Sequence, residues 1–393
     1  MEPKRPCPRP KPGAQPRTVL ILTADVGGGH RAAGRAVGAA LVATGSRVVI
    51  RDGLRPLSPP LERLLVRGYA VGARHLPGAV GLVFRLTATR PIAALARRLV
   101  GRLLAHRLLP TIDRVAPALI VSTYPLVTAA LGSLRARGRV GVPVAAVIPD
   151  YGVHPLWIAH GVDLHLVPSR ASLTLAARAG GRVLAARLPV GVRPRTSAGR
   201  AAARAALGVP ADAFVALIVG GAGGIGDLQA AARCARMADV HAVVVTGTNA
   251  ALRRRLERRF AGDTRLRVLG WAADMPGLLA AADCLIQNAG GMTCLEALAL
   301  GVPVLLFRPI PGHGSLNARV MARAGVARWA RSDRELRALL GAAARRDPAD
   351  PAPQREPDLP SGIALLVALA GFRPAGPPGG PGRRGPAAPA ESA

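Results

Sequence analysis

Short apolar runs alternate with longer segments of helical spacing along most of the chain. The run Thr18–Thr23 has the pattern of a buried strand, Arg31–Thr44 repeats its apolar positions with helical spacing, and Arg47–Ile50 is again apolar. Further strands are predicted at Ala118–Val121, Val144–Ile148, Val162–Ser169, Phe214–Val219, His241–Thr246, Leu266–Leu269, Cys284–Ile286 and Val304–Phe307. Because alternating strands and helices form parallel sheets covered on both faces, we expect an α/β fold with two doubly wound, Rossmann-like domains.

Glycine-rich turns follow three of these strands. His30 stands directly after the first of them, at the start of the predicted helix. The glycines are Gly27, Gly28 and Gly29 after the first strand, Gly220, Gly221, Gly223, Gly224 and Gly226 after Phe214–Val219, and Gly290 and Gly291 after the strand that begins at Cys284. Such turns present backbone N–H groups and the positive end of a helix dipole, which suit a phosphate. Close packing of strand and helix is the alternative interpretation, and the dinucleotide-type spacing of the second turn is a weak signal.

The chain carries a large excess of arginine. Its 393 residues include 53 Lys and Arg against 22 Asp and Glu, a formal net charge of +31, and Lys4 and Lys11 are its only lysines. This balance favours an anionic partner, such as nucleic acid, an acidic membrane surface or a phosphorylated substrate. The four cysteines lack metal-ligand spacing, which fits a reducing cytosol. We find no apolar core of a signal peptide and no uncharged run of the ~18 residues that a spanning helix needs, so we expect a cytoplasmic protein with at most peripheral membrane contact.

Residues 58–112 combine helical patterning with clustered arginines. One face of the helical wheel carries Ile92, Leu95, Leu99 and Leu103, and Arg90, Arg97 and Arg98 fall largely away from it. A basic amphipathic helix of this kind lies on an anionic bilayer, or it docks on its own core and leaves the charges in solvent. The pattern leaves both interpretations open.

The stretch from Asp283 to Asn317 resembles a known family. Ala289–Thr293, followed by Glu296, Gly301–Pro303 and Pro309–Asn317, is similar to the nucleotide-sugar half of the MurG and monogalactosyldiacylglycerol-synthase glycosyltransferases of the family 28 type. The resemblance covers most of residues 18–330. It implies the GT-B arrangement, in which two doubly wound domains face each other across a cleft and the second domain binds a UDP-sugar.

The resemblance also predicts the domain boundaries. Leu188–Val192 is similar to the family's interdomain crossing, so we expect an acceptor-binding domain at 17–190 and a nucleotide-sugar domain at 191–346. An apolar island at 361–372 is interpreted as a terminal helix that crosses back onto the first domain, with a buried plug or a lipid-touching segment as alternatives. A basic arm at 1–16, a linker at 347–360 and a Pro/Gly tail at 373–393 have the composition of disordered chain.

On the donor side, the resemblance assigns Glu296 to the ribose hydroxyls of the nucleotide. It assigns Gly290, Gly291, Met292 and Thr293 to the diphosphate, with help from Gly220, Gly221 and Gly223. Trp271 and Met275 border the base in the family, although core packing explains them almost as well. His313 and Asn317 fall in the segment that contacts the sugar.

Two departures from the family pattern affect the donor side. His313 and Gly314 stand where the family usually has glutamine or glutamate, so the donor sugar is left open, and Asn288 replaces a frequent lysine. The sequence has no carboxylate pair of the metal-binding Asp-x-Asp type. We therefore expect no catalytic metal ion and no cofactor, with helix ends stabilising the leaving diphosphate.

On the acceptor side, Gly28, Gly29 and His30 match the family's Gly-Gly-His turn. Asp150, Tyr151, His154 and Trp157 follow a strand end in a stretch that resembles the diacylglycerol glycosyltransferases. An attacking hydroxyl must lose a proton, which suits a base with a pKa near neutrality. His30 is the first candidate for this base and Asp150 the second, while His154 orients the acceptor or partners Asp150. Tyr151 and Trp157 are expected to line the acceptor site.

Together these residues predict an inverting glycosyltransferase that moves a hexose from a UDP-sugar to a lipid, with diacylglycerol as the expected acceptor, at the inner face of the cell membrane. One alternative is MurG-like transfer of N-acetylglucosamine to a polyprenyl-linked acceptor. Another is a non-catalytic polyanion-binding protein on a GT-B frame. Scarce aromatic residues, 3% of the chain, and the lack of an RNA-reading motif argue against specific nucleic-acid binding.

Overall fold

Two six-stranded parallel sheets form the frame of the molecule. The computed structural model describes residues 17–26, 28–57, 68, 71–177, 180–288, 290–345, 356 and 358–371. The first sheet has the order β2-β1-β3-β4-β5-β6 and the second has the order β12-β11-β10-β7-β8-β9. In each sheet the chain reverses its direction of strand addition once, beside β1 in the first and beside β7 in the second. Ligands of doubly wound sheets bind outside the carboxyl ends of the strands at such points.

The first domain is built around apolar strands that are buried on both faces. Its strands are β1 (Thr18–Thr23), β2 (Arg47–Asp52), β3 (Leu119–Ser122), β4 (Val144–Val147), β5 (Leu164–Val167) and β6 (Val183–Ala185). Its helices are α1 (Gly29–Val42), α2 (Pro77–Thr87), α3 (Arg90–Val115), α4 (Pro125–Ala136) and α5 (Arg170–Ala177), with a 3₁₀ turn at Pro155–Trp157. Leu20 and Leu22 pack with α3 and α4, whereas Val19 and Ile21 pack with α1 on the opposite face.

The second domain repeats this architecture. Its strands are β7 (Val215–Val219), β8 (His241–Val245), β9 (Leu266–Leu269), β10 (Cys284–Gln287), β11 (Val304–Phe307) and β12 (Arg328–Ala330). Its helices are α6 (Ser197–Ala206), α7 (Leu228–Met237), α8 (Ala250–Arg259), α9 (Met275–Ala281), α10 (Met292–Ala299), α11 (His313–Arg323) and α12 (Asp333–Ala344). Side chains of Thr196, Asp227, Asn249, Asp274 and Ser332 accept backbone N–H groups at five helix starts. These caps satisfy donors that the first turn of a helix leaves unpaired.

The last helix, α13 (Gly362–Leu369), lies on the first domain, although it follows the second in the chain. Leu366 is 0% exposed in the apolar cluster that contains Val37 and Leu41 of α1. The Arg17 guanidinium donates to the Ala370 carbonyl at 2.6 Å, and Ser361 pairs with Arg187. The apolar island is therefore a docked helix rather than a lipid-touching segment.

The structure differs from the sequence prediction at one helix and two strands. The apolar spacing predicts a helix that opens at Asn317, with helical patterning that continues to Arg345. In the structure α11 already begins at His313, and β12 separates it from α12. Strands β6 and β12 were not predicted; each has three residues at a sheet edge, too few to show a period. The region 58–112 contains α2 and the greater part of α3, but 58–67 and 69–70 lie outside the described residues.

Most of the segments predicted to be disordered also lie outside the described residues: 1–16, 346–355 and 372–393. The end of the expected linker is described and is held in place. Glu356 accepts from the Arg170 backbone N–H at 2.9 Å and from the Ser169 hydroxyl, and Leu359 packs beside Val153 and Trp157. The flexible linker proposed from the sequence therefore ends before residue 360.

Replacing Leu366 by Ala tests the docking of α13. We expect a loss of roughly 2–5 kcal/mol in the free energy of unfolding, because the change removes buried methyl groups and leaves a cavity. Urea denaturation followed by circular dichroism measures the loss. The matched change Leu365→Ala, at a half-buried position of the same helix, should cost less than half as much. Equal losses for the two variants would contradict the packing described here.

Candidate active site

The glycine turns at the carboxyl ends of β1 and β7 adjoin each other across the domain boundary. A Cβ added to Gly28 would lie 3.2 Å from the Cβ of Ala222, and the Arg74 guanidinium donates to the Gly223 carbonyl at 2.7 Å. Gly28 and Gly221 have φ values of +79° and +68°, which other residues rarely adopt. The two turns predicted to bind ligand therefore meet at the boundary between the domains. Gly220 packs too closely on Leu228 to accept a side chain.

The turn between β10 and α10 forms the second-domain wall of the cleft. Gly290 and Gly291 both have positive φ, and Met292 then begins α10 with its N-terminal N–H groups directed toward this wall. Asn288 donates from Nδ2 to the Ile225 carbonyl at 2.6 Å, which ties this turn to the one after β7. Asn288, which stands where the family often has a lysine, therefore holds these two turns together. Its Oδ1 is buried and has no hydrogen-bond partner among the described residues.

Glu296 lies one turn into α10 and is 9% exposed. Burial raises the pKa of its carboxyl to about 7, and the positive charge of Arg35 on α1 acts in the opposite direction. Met292 packs on Ala33 and Ala36 of α1, while Thr293 is half-buried. The donor-side helix therefore lies against the helix that carries His30.

The His30 ring is held between two aromatic side chains of the first domain. Its centroid lies 5.1 Å from the Tyr124 ring, edge to face, and 5.7 Å from the Trp157 ring. Burial lowers the pKa of His30 below its usual value, although the negative charge of Asp150 raises it in part. In the described part of the chain its Nδ1 is buried without a hydrogen-bond partner. A neutral imidazole with an unused ring nitrogen is able to take a proton.

Asp150 stands at the contact between the domains. Asn317 of α11 donates from Nδ2 to the Asp150 carboxylate at 3.2 Å and accepts the Gly152 N–H at 2.7 Å. A Cβ added to Gly291 would lie 3.4 Å from Asp150 Oδ1, so the carboxylate lies over the start of α10. His313 is on the same helix as Asn317; burial lowers its pKa and the charge of Asp150 raises it in part. Asp150 thus acts electrostatically on an imidazole from each domain.

Three predicted acceptor-site residues have partners within the protein. His154 accepts the Leu156 N–H at Nδ1 (3.2 Å) and donates from Nε2 to the Phe84 carbonyl (3.1 Å), so both of its ring nitrogens are hydrogen-bonded. Tyr151 is buried in the apolar cluster of the second domain. Trp157 is buried against His30 and supports that ring. Their roles at an acceptor remain predictions.

The two residues expected at the nucleotide base differ in exposure. Trp271 is 62% exposed after β9, and Met275 is half-buried at the start of α9, where it packs on the second-domain core. Core packing therefore explains part of the Met275 position, as the alternative interpretation expected. Their role at a base remains a prediction.

Two residues near the site were missed in the sequence. Tyr124 packs on His30, and burial, with a smaller effect from Asp52, raises the pKa of its hydroxyl to about 12. The positive charge of Arg35 lowers the pKa of Glu296 in part. Tyr124 follows the end of β3, a position that the carboxyl-end rule covers, whereas no local pattern distinguishes Arg35 from the other arginines.

An apolar surface lies beside the cleft on α2 and α3. It consists of Leu76, Leu82, Val83, Leu86, Ile92, Leu95, Leu99 and Leu103, which are between 40% and 66% exposed. The helical face recognised in the sequence thus points outward, because α3 packs on the core through Ala93, Leu104 and Leu108 instead. Exposed arginines border the surface: Arg85, Arg98, Arg102 and Arg107. Contiguous exposed apolar patches of this kind mark interaction sites.

Within the described residues, no single helix has both the length and the apolar character to cross a bilayer; α2 and α3 meet that standard only as a pair, bent by 94°. Over the same residues, no group of three His, Cys, Asp or Glu side chains is arranged to hold a metal ion.

Family comparisons match the two halves of the chain separately. Residues 30–181 match the monogalactosyldiacylglycerol (MGDG) synthase family, and residues 215–345 match the glycosyltransferase family 28 C-terminal domain. Among curated proteins, a processive diacylglycerol beta-glucosyltransferase from Bacillus subtilis is 27% identical over 327 residues, which cover 79% of this chain and 82% of that protein. A protein of the same name from Bacillus mycoides is 27% identical over 332 residues, covering 81% and 83%.

Solved structures share the fold at lower identity. The glycosyltransferase SnogD from Streptomyces nogalater has a TM-score of 0.54 and 19% identity, with 91% of this chain and all of that chain covered. The glycosyltransferase VinC, solved in complex with DTDP, has a TM-score of 0.55 and 14% identity, with 90% and 99% covered. These neighbours confirm the GT-B fold predicted from the sequence.

Replacing Glu296 by Gln tests the burial of this carboxyl. With a pKa of about 7 in the folded state and an ordinary value of 4.5, Glu296 binds its proton more tightly when folded, so its contribution to stability is lost as pH rises through 7. We expect Glu296→Gln to be more stable than the parent at pH 8, by on the order of 2 kcal/mol, with the difference shrinking toward pH 5. Thermal melts at several pH values measure it. Glu257→Gln, at an exposed site, should show no such trend; a flat difference for Glu296→Gln would contradict the assignment.

Proposed function

Because the chain belongs to the glycosyltransferases that combine an MGDG-synthase domain with a family 28 C-terminal domain, we propose that it transfers a hexose from a UDP-sugar to diacylglycerol. The observation that carries this proposal is the meeting of His30, Asp150 and the Gly290–Thr293 turn across one cleft. The names of the curated relatives supply the lipid acceptor and favour it over a polyprenyl-linked one.

The donor site of the proposal lies on α10. The N–H groups at Gly290–Thr293 and the positive end of the helix bind the diphosphate, and Glu296 accepts hydrogen bonds from the ribose hydroxyls. When the sugar leaves, the diphosphate gains negative charge next to these donors, and fixed N–H groups stabilise that charge without reorganising. The turn after β7, with Gly221 and Gly223, lies close enough through Asn288 to complete the site.

The acceptor hydroxyl attacks from the first domain. Its oxygen forms a bond to the anomeric carbon while the bond from that carbon to the diphosphate oxygen breaks, so the electron pair leaves with UDP and the configuration inverts. The hydroxyl proton passes to the imidazole of His30, which is neutral at pH 7 because burial lowers its pKa. Asp150 stabilises the imidazolium that forms, since its negative charge raises the pKa of His30.

The apolar surface is the proposed contact with the membrane, at the inner face of the cell membrane. Its leucines enter the headgroup region and the bordering arginines meet anionic lipids, as on other interfacial helices. The same helix α2 touches the cleft loops: a Cβ on Gly81 would lie 2.8 Å from Pro311, and the Phe84 carbonyl binds His154. The helix that carries part of the apolar surface therefore also contacts loops of both domains.

Measuring UDP release tests the transfer itself. We expect release from UDP-glucose or UDP-galactose with vesicles that contain diacylglycerol, and a glycosylated lipid of matching mass. Release with UDP-N-acetylglucosamine and a polyprenyl acceptor instead would favour the MurG-like alternative. Binding to polyanions without any UDP affinity would favour the non-catalytic one.

Variants of the two candidate bases separate their roles. His30→Ala should abolish turnover, by roughly a thousandfold or more, while UDP affinity persists. Asp150→Asn should leave residual turnover and move the acid limb of the pH–kcat profile to lower pH, because the charge that raises the pKa of His30 is gone. Full activity of His30→Ala, or an acid limb that vanishes in Asp150→Asn, would assign the base to Asp150.

The triple change Leu95→Gln, Leu99→Gln and Leu103→Gln tests the membrane contact. Cosedimentation with vesicles rich in phosphatidylglycerol should fall at least roughly tenfold, because each leucine contributes on the order of 1 kcal/mol of apolar transfer. Val42→Gln combined with Met237→Gln provides the control, since both residues are exposed away from this surface. Equal loss in the control would assign the effect to general apolar exposure.

A further inference from the structure

Asn317 is a fully buried polar contact between the two domains. It lies on α11 of the second domain, is 0% exposed, and directs both ends of its amide at the first domain. Nδ2 donates to the Asp150 carboxylate at 3.2 Å and Oδ1 accepts the Gly152 N–H at 2.7 Å. The sequence resemblance had placed this residue at the donor sugar.

Asn317 also touches the donor turn. A Cβ on Gly290 would lie 2.9 Å from the Cβ of Asn317, so glycine at this position lets α11 approach the turn before α10. On the other side, a Cβ on Gly152 would lie 2.6 Å from Leu316 Cγ and 2.8 Å from the backbone nitrogen of Asn317. One side chain therefore connects the donor turn, the loop after β4 and the carboxylate that acts on His30.

An amide is the side chain that these partners require. The carboxylate of Asp150 only accepts hydrogen bonds when ionised, whereas the Gly152 N–H only donates, so a group that both donates and accepts is needed between them. An aspartate at position 317 keeps the acceptor but places a second negative charge beside Asp150. An apolar residue leaves a buried N–H unpaired, which costs more than the bond itself contributes.

We propose that Asn317 is a positioning residue that holds the two domains together and thereby places Asp150. Its amide orients the carboxylate over Gly291 and toward the imidazole of His30. The part of this proposal that concerns turnover rests on the proposed function; the part that concerns the contact between the domains does not. Asn317 acts through Asp150 and does not itself take part in the transfer.

Exchanging the amide and the carboxylate between positions 317 and 150 tests this contact. Asn317→Asp alone sets two carboxylates against each other, so we expect a larger radius of gyration by small-angle X-ray scattering, a lower Tm and at least a roughly tenfold lower kcat. The Kd for UDP, measured by calorimetry, should change less than about threefold, because the N–H groups of α10 are intact. The double variant Asn317→Asp with Asp150→Asn restores a donor opposite a carboxylate, so Tm and radius of gyration should return toward the parent values while kcat stays low.

The outcomes separate this proposal from the proposed function. If Asn317→Asp keeps the compact state and the parent kcat, or if the double variant is no more compact than Asn317→Asp, this proposal is overturned. A UDP affinity that falls in parallel with kcat returns Asn317 to a direct donor contact and also overturns it. An inactive parent protein contradicts the proposed function alone, since scattering and melting still report the contact between the domains. Asn249→Asp, at a half-buried position that retains its helix-capping oxygen on α8, controls for the effect on Tm of replacing an amide by an acid.

Discussion

The insertion of the loop after β4 into the second domain is the contact on which the site depends. Tyr151 leaves the first domain and is buried among apolar residues of the second, while Gly152 lets α11 approach without a side chain between them. Asp150 directly precedes Tyr151, so burial of the tyrosine side chain in the second domain holds the Asp150 carboxylate over Gly291. Because of this contact, the candidate base on the first domain lies near the backbone N–H groups at the start of α10 on the second. Asn317 adds two hydrogen bonds to the same contact.

The cleft is poorly solvated, and that decides the charge state of its side chains. Burial lowers the pKa of both His30 and His313 and raises that of Glu296 to about 7. The Glu296 shift lowers the stability of the folded protein as pH rises above 4.5, and the two histidine shifts lower it as pH falls below 6.5, because the buried site does not solvate the charged forms. They leave a neutral imidazole beside a carboxylate, which is the pairing that proton removal from a hydroxyl needs.

Sequence periodicity predicted most of the frame, and it missed two short edge strands and the first turn of one helix. Runs such as Val215–Val219 are buried on both faces, so their apolar character is a local signal of a strand. Strands β6 and β12 have three residues each and lack such a signal. Gly312, with its positive φ, directly precedes α11, which begins at His313, four residues before the predicted start at Asn317.

Local sequence likewise predicted only part of the candidate site. The glycine turns and His30 were found because each follows a predicted strand. The contacts of Tyr151, His154 and Asn317 join segments that are far apart in the chain. Local sequence patterns therefore do not predict them.

A crystal structure of the protein with UDP tests the central claim most directly. The account predicts the diphosphate on the N–H groups of Gly290–Thr293, the ribose hydroxyls on Glu296, and the imidazole of His30 facing them across the cleft. A diphosphate bound away from the start of α10, or a His30 ring directed away from the cleft, would contradict it.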